Sequence, residues 1–377
     1  MKFIDLFSGI GGFRSGLEKN GHKAIAYSEV DKYAKQSYTS IYETSEELDL
    51  GDITKVSNEQ WQDLKGKANI IVGGSPCQSF SLAGKRRGFE DTRGTLFFHY
   101  VNAVKEVQPE FFIFENVKGM ISHDKGETIK TVLSSFNEIG YDIDFDVFNS
   151  KYYGVPQNRE RIYIVGKRKD LGINESRESV KGKKKLDQLK NWAIENINYV
   201  KLLPENNNEN VEKRLVDVLE DKVDEKYYLS EEKTKKLTLN LDLEGLSPAL
   251  NCMRGGGLEP KIAVREATKQ GYAIAEQGDS VNVTYPDSKT RRGRVGKQVA
   301  QTLQAGEVNQ GVVMNDIRIR KLSPLECWRL QGFTDEQFYK AKDSGVSNSQ
   351  LYKQAGNAVT VNVVDAITKE LFKHGLK

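Results

Sequence analysis

Through the first 170 residues, short apolar runs alternate with amphipathic stretches, and their periods differ as those of strands and helices do. "KFIDLF" opens the chain as a short apolar strand. A glycine turn, "SGIGGF", follows, and then an amphipathic "RSGLEKNG" that Gly21 stops. "KAIAYSEVD" and "NIIVGG" read as the second and third strands. In "TLFFHYVNAVKEV", Leu96, Phe97, Tyr100, Val101 and Val104 recur at helical spacing, and "TIKTVLSSFNEIG" is another helix with a glycine end. "EFFIFENV" is continuously apolar up to Glu115, as a central parallel strand covered on both faces must be, and "RIYIVGKR" is a further strand. This alternation predicts a doubly wound α/β sheet.

After Lys167 the pattern breaks. "KRKDLGINESRESVKGKKKLDQLKNW" is charged and weakly periodic, and reads as a solvated linker or helix face. From there to about residue 315 the chain is rich in Gly, Asn and short β-like pieces. Two of its segments, "LSPALNCMRGGGLEPKIAV" and "VAQTLQAGEVNQGVVM", faintly echo each other. A second, irregular domain built on loops is expected there. Helical periodicity returns in "GNAVTVNVVDAITKELFKHG". The division expected is 1–189 with 350–377 as one domain and 190–349 as a second domain with a hinge. A length of 377 residues also favours two domains over one core.

Composition narrows the picture only a little. With 38% apolar and 29% charged residues and no apolar run of membrane-spanning length, the chain reads as a soluble, cytoplasmic protein, and "MKFIDLFSG" does not read as a signal peptide. Three widely spaced cysteines, Cys77, Cys252 and Cys327, suit a reducing compartment. Four scattered histidines without a CxxC or HxxxH pattern give no reason to expect a metal. A net charge of +3 neither demands nor excludes a polyanionic partner, so local clusters must decide.

Candidate chemistry follows the apolar runs. In open α/β sheets, ligands bind beyond the carboxyl ends of the strands. There this sequence places the turn of Gly9, Gly11 and Gly12, then Glu29, then Pro76-Cys77-Gln78, and finally Glu115 with Asn116. Each has an ordinary reading: a tight turn, a surface carboxylate, a packed thiol. Glu115 is the least ordinary, because a carboxylate interrupting a buried strand is costly unless paired or protonated. Together they suit a nucleoside-type cofactor beside a thiol and a carboxyl group.

These residues carry a resemblance. The chain resembles the DNA (cytosine-5)-methyltransferases, in particular the compact bacterial type of restriction-modification systems. The likeness runs in order through "DLFSGIGGFRSGLE", "SEVDKYA", "GDIT", "GGSPCQSFSLAGKRRGFEDTRGTLF", "FFIFENVKGM", "YYGVPQNRERIYIVG", "RKLSPLECWRLQGF" and "YKQAGNAVTVNVV". It implies a Rossmann-like catalytic domain that uses S-adenosylmethionine, a smaller target-recognition domain, and a flipped cytosine of double-stranded DNA as substrate. On that resemblance Phe7 would lie against the adenine, Glu29 would bond the ribose, and Asp52 with Ile53 would read the adenine edge. Gly9, Gly11 and Gly12 would let the methionine part approach, with Pro76 and Asn357 completing the pocket.

Carbon 5 of cytosine is a poor nucleophile until a thiolate adds at carbon 6, which explains the residue types the family uses. Cys77 would be that nucleophile. Glu115 would hydrogen-bond ring nitrogen 3 and the exocyclic amine, Arg161 would hold the ring carbonyl oxygen, and Arg159 would support the flanking structure as a member of the same catalytic set. Gln78 and Ser81 begin a loop in which Lys85, Arg86, Arg87 and Arg93 would meet phosphates around the flipped base. Where some relatives have a serine in "SLAG" this chain has Ala83, so another residue must fill the vacated space in the duplex.

In the middle region Thr302-Leu303 matches a short signature of these recognition domains. "SKTRRGRVGKQ" offers Arg291, Arg292, Arg294 and Lys297 for guanine edges or for phosphates; Arg292, Arg294 and Thr302 are the DNA contacts expected there. A cognate restriction endonuclease acting on the same site is a further expected partner, and a monomer the expected state. The alternatives are a tRNA cytosine-5 methyltransferase on the same fold and a catalytically silent DNA-binding regulator. A dinucleotide-dependent dehydrogenase would want the full GxGxxG turn and leaves Cys77 and Glu115 unexplained.

Overall fold

The computed structural model describes residues 1–76, 96–172, 175–206, 213–239, 261–306 and 308–373. Two compact units form. The first comprises Met1–Phe148, Glu160–Asn208 and Val359–Lys377, and the second Asn149–Arg159 and Glu209–Ala358. This differs from the expected division. The segment 149–159 and the helix Asn348–Asn357 fall in the second unit, whereas the chain from 190 to 208 stays with the first.

In the first unit, strands β1 (Lys2–Leu6), β2 (Lys23–Ser28), β3 (Leu48–Asp49), β4 (Ile70–Gly73), β5 (Phe111–Val117) and β6 (Tyr141–Asn149) are followed by β7 (Gln157–Asn158), which pairs in the second unit, and β8 (Glu160–Arg168). The seven-stranded sheet has the order β3-β2-β1-β4-β5-β8-β6. Its β2–β3, β1–β2, β1–β4 and β4–β5 pairs are parallel, and β5–β8 is antiparallel. Strand order reverses between β1 and β4, the switch point where such sheets open a crevice. Strand β3 is a short addition, so "NIIVGG" forms the fourth strand of the chain rather than the third.

The helices form where periodicity and caps agree. The helix α1 (Gly12–Glu18) follows the glycine turn. In α2 (Lys32–Ile41), Asp31 caps the N-terminus by accepting from the Tyr33 and Ala34 amides, and α3 (Asn58–Gln62) starts on a Ser57/Gln60 capping box. The core face of α4 (Leu96–Val107) consists of Phe97, Tyr100, Val101 and Val104, all essentially inaccessible, as their spacing predicts. They meet Phe114 of β5 and Phe136 of α5 (Glu127–Glu138), and Phe136 stacks on Phe112 at 4.1 Å. Each fully buried aromatic of this kind is worth about 1.5–3 kcal/mol in transfer alone. The charged stretch expected to be a linker or helix face contains α6 (Lys185–Asn196), whose Leu189 and Ala193 join the same core.

The C-terminal helix Val361–Lys373 packs on α1 within the first unit. Gly16 makes room for it: a β-carbon there would sit 2.6 Å from Val364 Cγ1. Asn20 adds a 2.8 Å hydrogen bond to Asp365 Oδ1.

The second unit is a set of short strands. A four-stranded sheet runs Val295–Gly296, Ser280–Asn282, Gln310–Val313, Ile319–Lys321, beside a three-stranded one of Thr238–Leu239, Lys261–Arg265 and Tyr272–Glu276. Val264, Ala275, Val281, Val313 and Ile319 form a small core. Among the helices that follow, Glu326 is held bidentately by Arg320 at 2.7 and 2.8 Å, both side chains wholly buried. A Gly16→Ala substitution tests the α1 packing. Overpacking against Val364 is expected to lower stability by about 1–3 kcal/mol, read as a shift in the urea midpoint of the first unit.

Candidate functional site

Register brings the polar features of the first unit together. Leu6 pairs with Ser28 on one side and with Gly73 on the other, and Gly73 pairs with Phe114. One residue further on, in adjacent strands, come Phe7, Glu29, Gly74 and Glu115. The sequence-predicted turn, acid, glycine-proline segment and carboxylate therefore share one rim of the sheet.

At the β1 end the chain makes a left-handed turn: Phe7 has φ +53°, Gly9 +55° and Gly11 +84°. For Phe7 this is a costly conformation, and its ring is partly buried against the core. Gly11 and Gly12 are required by crowding. A β-carbon on Gly11 would fall on the Tyr42 ring, and one on Gly12 would run into the Val359 carbonyl oxygen. At Gly9, by contrast, the space is open. Its amide donates to Glu29 Oε2 at 2.8 Å, while Glu29 Oε1 accepts from the Val30 and Asp31 amides at 2.8 and 2.7 Å. Glu29 thus ties the turn to the start of α2, leaving about one of a carboxylate's four lone-pair sites for a ligand.

Asp52 lies beyond the same edge, where Ser28 Oγ donates to the Gly51 carbonyl at 2.7 Å. Hydrogen bonds from the Thr54 hydroxyl and amide hold its carboxyl below the usual range. Ile53, next to it, is buried.

Beneath this turn is a network that sequence reasoning missed. Arg14 of α1 is only 4% exposed. It bonds Glu18, holds Glu47 bidentately at 2.8 and 2.8 Å, donates to the Tyr38 hydroxyl and the Glu43 carbonyl, and lies over the Tyr42 ring. Asp5 of β1 is wholly buried nearby, and burial pushes its carboxyl well above the usual range, against the pull of Arg14 and the Tyr38 hydroxyl. An arginine in "GGFRSGLE" and an aspartate in "KFIDLF" were both visible, but nothing local marks either as buried.

At the other end of the rim, the glycine pair admits close strands. A β-carbon on Gly73 would sit 2.5 Å from the Leu6 carbonyl, and one on Gly74 would sit 2.8 Å from Glu115 Oε2. Asn116 donates from Nδ2 to the Ser75 carbonyl at 2.9 Å and is itself buried, which fixes the path of the chain into Pro76. Cys77, Gln78, Ser81, Ala83, Lys85, Arg86, Arg87 and Arg93 lie outside the described residues, as does Cys252.

Glu115 has its compensation. Opposite Val117 in the β5–β8 ladder stands Arg161, so Glu115 and Arg161 are diagonal neighbours on one face, with Nε to Oε1 at 3.1 Å. The two side chains are 12% and 16% exposed, enclosed but reachable. This cation offsets the cost of a carboxylate near the end of an apolar strand.

The remaining expected residues are in the second unit. Arg159 is buried, and its two terminal nitrogens donate to the Gly356 and Ala358 carbonyls at 3.2 and 2.8 Å. These bonds make it a staple between two segments. Asn357, between those carbonyls, is exposed. Strand β7 pairs with Ala300–Gln301, and the Thr302 hydroxyl donates to the Asn158 carbonyl at 2.8 Å. Thr302 therefore joins "QNR" to the Thr-Leu segment, and its donor is not free for DNA.

Arg294 is a clear correction. It is 1% exposed, and its guanidinium donates to the carbonyls of Asn282, Thr284, Tyr285 and Pro286. Lys297 is bound to the buried Asp279 at 2.6 Å. Arg292 remains exposed, its Nε on the Ala267 carbonyl. Removing the Arg294 side chain strands several buried carbonyls, at about 1–3 kcal/mol each. Arg294→Ala is thus expected to lower the melting temperature steeply or unfold the second unit, while Arg292→Ala stays within about 0.5 kcal/mol of wild type. Circular dichroism melts of both variants check this.

Known proteins match this chain over nearly its full length. The family model described as C-5 cytosine-specific DNA methylase matches residues 1–373. The orphan methyltransferase M.SPRI of Bacillus phage SPR is 40% identical, covering 98% of this chain and 97% of that one. The type II methyltransferase M.HpaII of Haemophilus parainfluenzae is 35% identical over 98% of this chain and 89% of its own. Among solved structures, a putative DNA modification methyltransferase encoded within an E. coli prophage superposes with TM-score 0.58 at 22% identity, over 99% of both chains. The fold is thus that of S-adenosylmethionine-dependent methyltransferases. On the matched model and these near full-length relatives, the chain belongs to the C-5 cytosine-specific DNA methylase family.

Proposed function

We propose that this chain methylates carbon 5 of a cytosine flipped out of a short, specific double-stranded DNA sequence, by way of a covalent bond from Cys77. The observation that carries this residue-level reading is the register that sets the Glu115–Arg161 pair beside the Asn116-anchored turn leading into Cys77. DNA cytosine methylation is the family's activity, and neither a tRNA substrate nor a silent regulator is favoured by relatives named as DNA-modifying or type II methyltransferases.

The β1 turn fits the cofactor. Open space over Gly9 on a left-handed backbone, beside a buried Ser8 hydroxyl that has no hydrogen-bond partner among the described residues, leaves a polar-lined place for a ligand. Phe7, Glu29, Asp52, Ile53 and Pro76 are the residues of the first unit that would hold it. S-adenosylmethionine, when bound, supplies an electrophilic methyl group.

The chain's own residues activate the base. The Cys77 thiolate forms a bond to carbon 6, and the electron pair of the 5,6 double bond moves onto carbon 5. Glu115 shares a proton with ring nitrogen 3 and accepts from the exocyclic amine, stabilising the charge that builds there. Arg161 both keeps Glu115 in place and offers its guanidinium to the ring carbonyl oxygen. After alkylation, loss of the carbon-5 proton returns the electron pair, breaks the sulfur–carbon bond and frees the thiolate. Arg159 acts through position, by setting the "AGNAV" segment.

The enzyme acts as a monomer in the cytoplasm, since flipping one base needs no symmetry. No helix among the described residues is long and apolar enough to cross a membrane. Its biological setting is modification, with a restriction endonuclease of the same target sequence as the partner to seek; similarity to a type II enzyme supports this.

Incubation with S-adenosylmethionine and unmethylated genomic DNA, followed by bisulfite sequencing, is expected to show protected cytosines confined to one short motif. Scattered protection, or none with cofactor bound, contradicts it. In the same assay Cys77→Ser is expected to give no protection while retaining DNA binding. Glu115→Gln is expected to lower kcat by about 10²–10⁴-fold with cofactor affinity little changed. A variant that instead loses cofactor affinity at full kcat makes Glu115 a cofactor ligand.

A further inference from the structure

Tyr285, in the second unit, is held where a tyrosine gains nothing from the fold. Its φ is +49°, a left-handed conformation that bulky residues avoid, and the residue is 62% exposed. The turn is not loose. The buried Arg294 donates to the carbonyls on both sides of Tyr285 and to its own at 2.6 Å, and the Ser288 amide closes the turn on the same oxygen at 3.0 Å. Arg291 lies over the exposed ring at 5.5 Å. A strained backbone, clamped by a buried cation to present an aromatic ring to solvent, is what a contact residue requires.

The surroundings indicate the partner. Two hollows of about 490 and 370 Å³ flank the turn and share Pro286. Lys235, Lys236, Arg265 and Lys289 line the first, and Lys233 and Lys321 line the second. Against these six cations stand two carboxylates, Glu266 and Asp287, and Glu266 Oε1 is taken by the Arg294 and Val295 amides. Glu231 and Glu232 pair with Lys235 and Lys236 only as exposed neighbours one helical turn away, pairs that yield readily to phosphate.

We infer that the turn carrying Tyr285 is a ridge that docks on the duplex substrate. The Tyr285 ring, backed by Arg291, meets the sugar–base edge, and the lysines of the two hollows take phosphates on either side. An aromatic ring can stack or wedge against nucleotides, and lysines add the salt-sensitive phosphate term. This rests on the reading of the chain as a DNA-modifying enzyme and says which surface of the second unit carries recognition.

The test is fluorescence anisotropy of the full chain on a duplex holding the methylated motif and on one lacking it, at several salt concentrations. Tyr285→Ala is expected to weaken binding to the motif at least about tenfold and to the other duplex far less, as loss of a base contact does. Tyr285→Phe retains the affinity. The exposed pair Lys233→Ala/Lys289→Ala is expected to weaken both duplexes alike and to reduce the slope of log K against log salt by about two. A circular dichroism melt that matches wild type serves as the folding control for the second unit, and the lysine pair decides the matter if Tyr285→Ala does not fold. Unchanged motif affinity in a folded Tyr285→Ala, or an unreduced salt slope in the lysine pair, overturns the docking ridge even while the wild type methylates. A wild type that methylates no DNA would instead remove the functional reading on which it rests.

Discussion

A carboxylate near the end of a central apolar strand must be compensated, and the Glu115–Arg161 pair is how this chain does it. The pair exists because β8 enters the sheet antiparallel, between β5 and β6. A parallel strand there would present the register differently and leave residue 161 at the far end. The last residues of β5 run past the end of β4 and pair only with β8, so Glu115 stands over the glycine pair of the "GGSPC" segment. The antiparallel β8 is thus the constraint from which the Glu115–Arg161 end of the rim follows.

The opposite end of the rim depends on close approach. Glycines at 11 and 12 let the turn lie against Tyr42 and the Val359 backbone, and Arg14 locks α1 to the segment around Glu43 and Glu47. The buried Asp5, which accepts from the Tyr38 hydroxyl, sits under the same turn. Interiors packed this tightly transmit small changes, so the ligand-facing side of the turn is set by residues that no ligand would touch.

Much of the fold was legible because period and length agree with burial. The α4 spacing placed four core residues, and the apolar run of β5 announced both a central strand and the anomaly within it. The rim followed from topology, since strand ends in a parallel sheet come together. What failed to read was anything whose burial is decided by distant backbone. Arg294 sits in a charged, glycine-containing run and looks solvated; only the folded turn offers it four carbonyls. The same holds for Arg159 and Arg14. In the "KRKDLG…KNW" stretch the core-facing side of α6 is a short one, Leu189 and Ala193 with the partly buried Leu186 and Trp192, set among charges. Arg177, from the same stretch, is drawn to the buried Asp144, which is equally silent in sequence. The boundary between units is crossed at Arg159 and Glu160, inside a single motif where composition does not change.

The central claim is that Cys77 attacks the base from the rim that Glu115, Arg161 and Asn116 define. Its most direct test uses a duplex carrying the motif with 5-fluorocytosine at the target, where the carbon-5 fluorine cannot leave as a proton. With S-adenosylmethionine present, the enzyme should become covalently joined to the duplex in a one-to-one complex. Mass spectrometry of the digested complex should place the modified nucleotide on Cys77. Enzyme that methylates the ordinary duplex but forms no such complex, or forms it through another residue, would contradict the account.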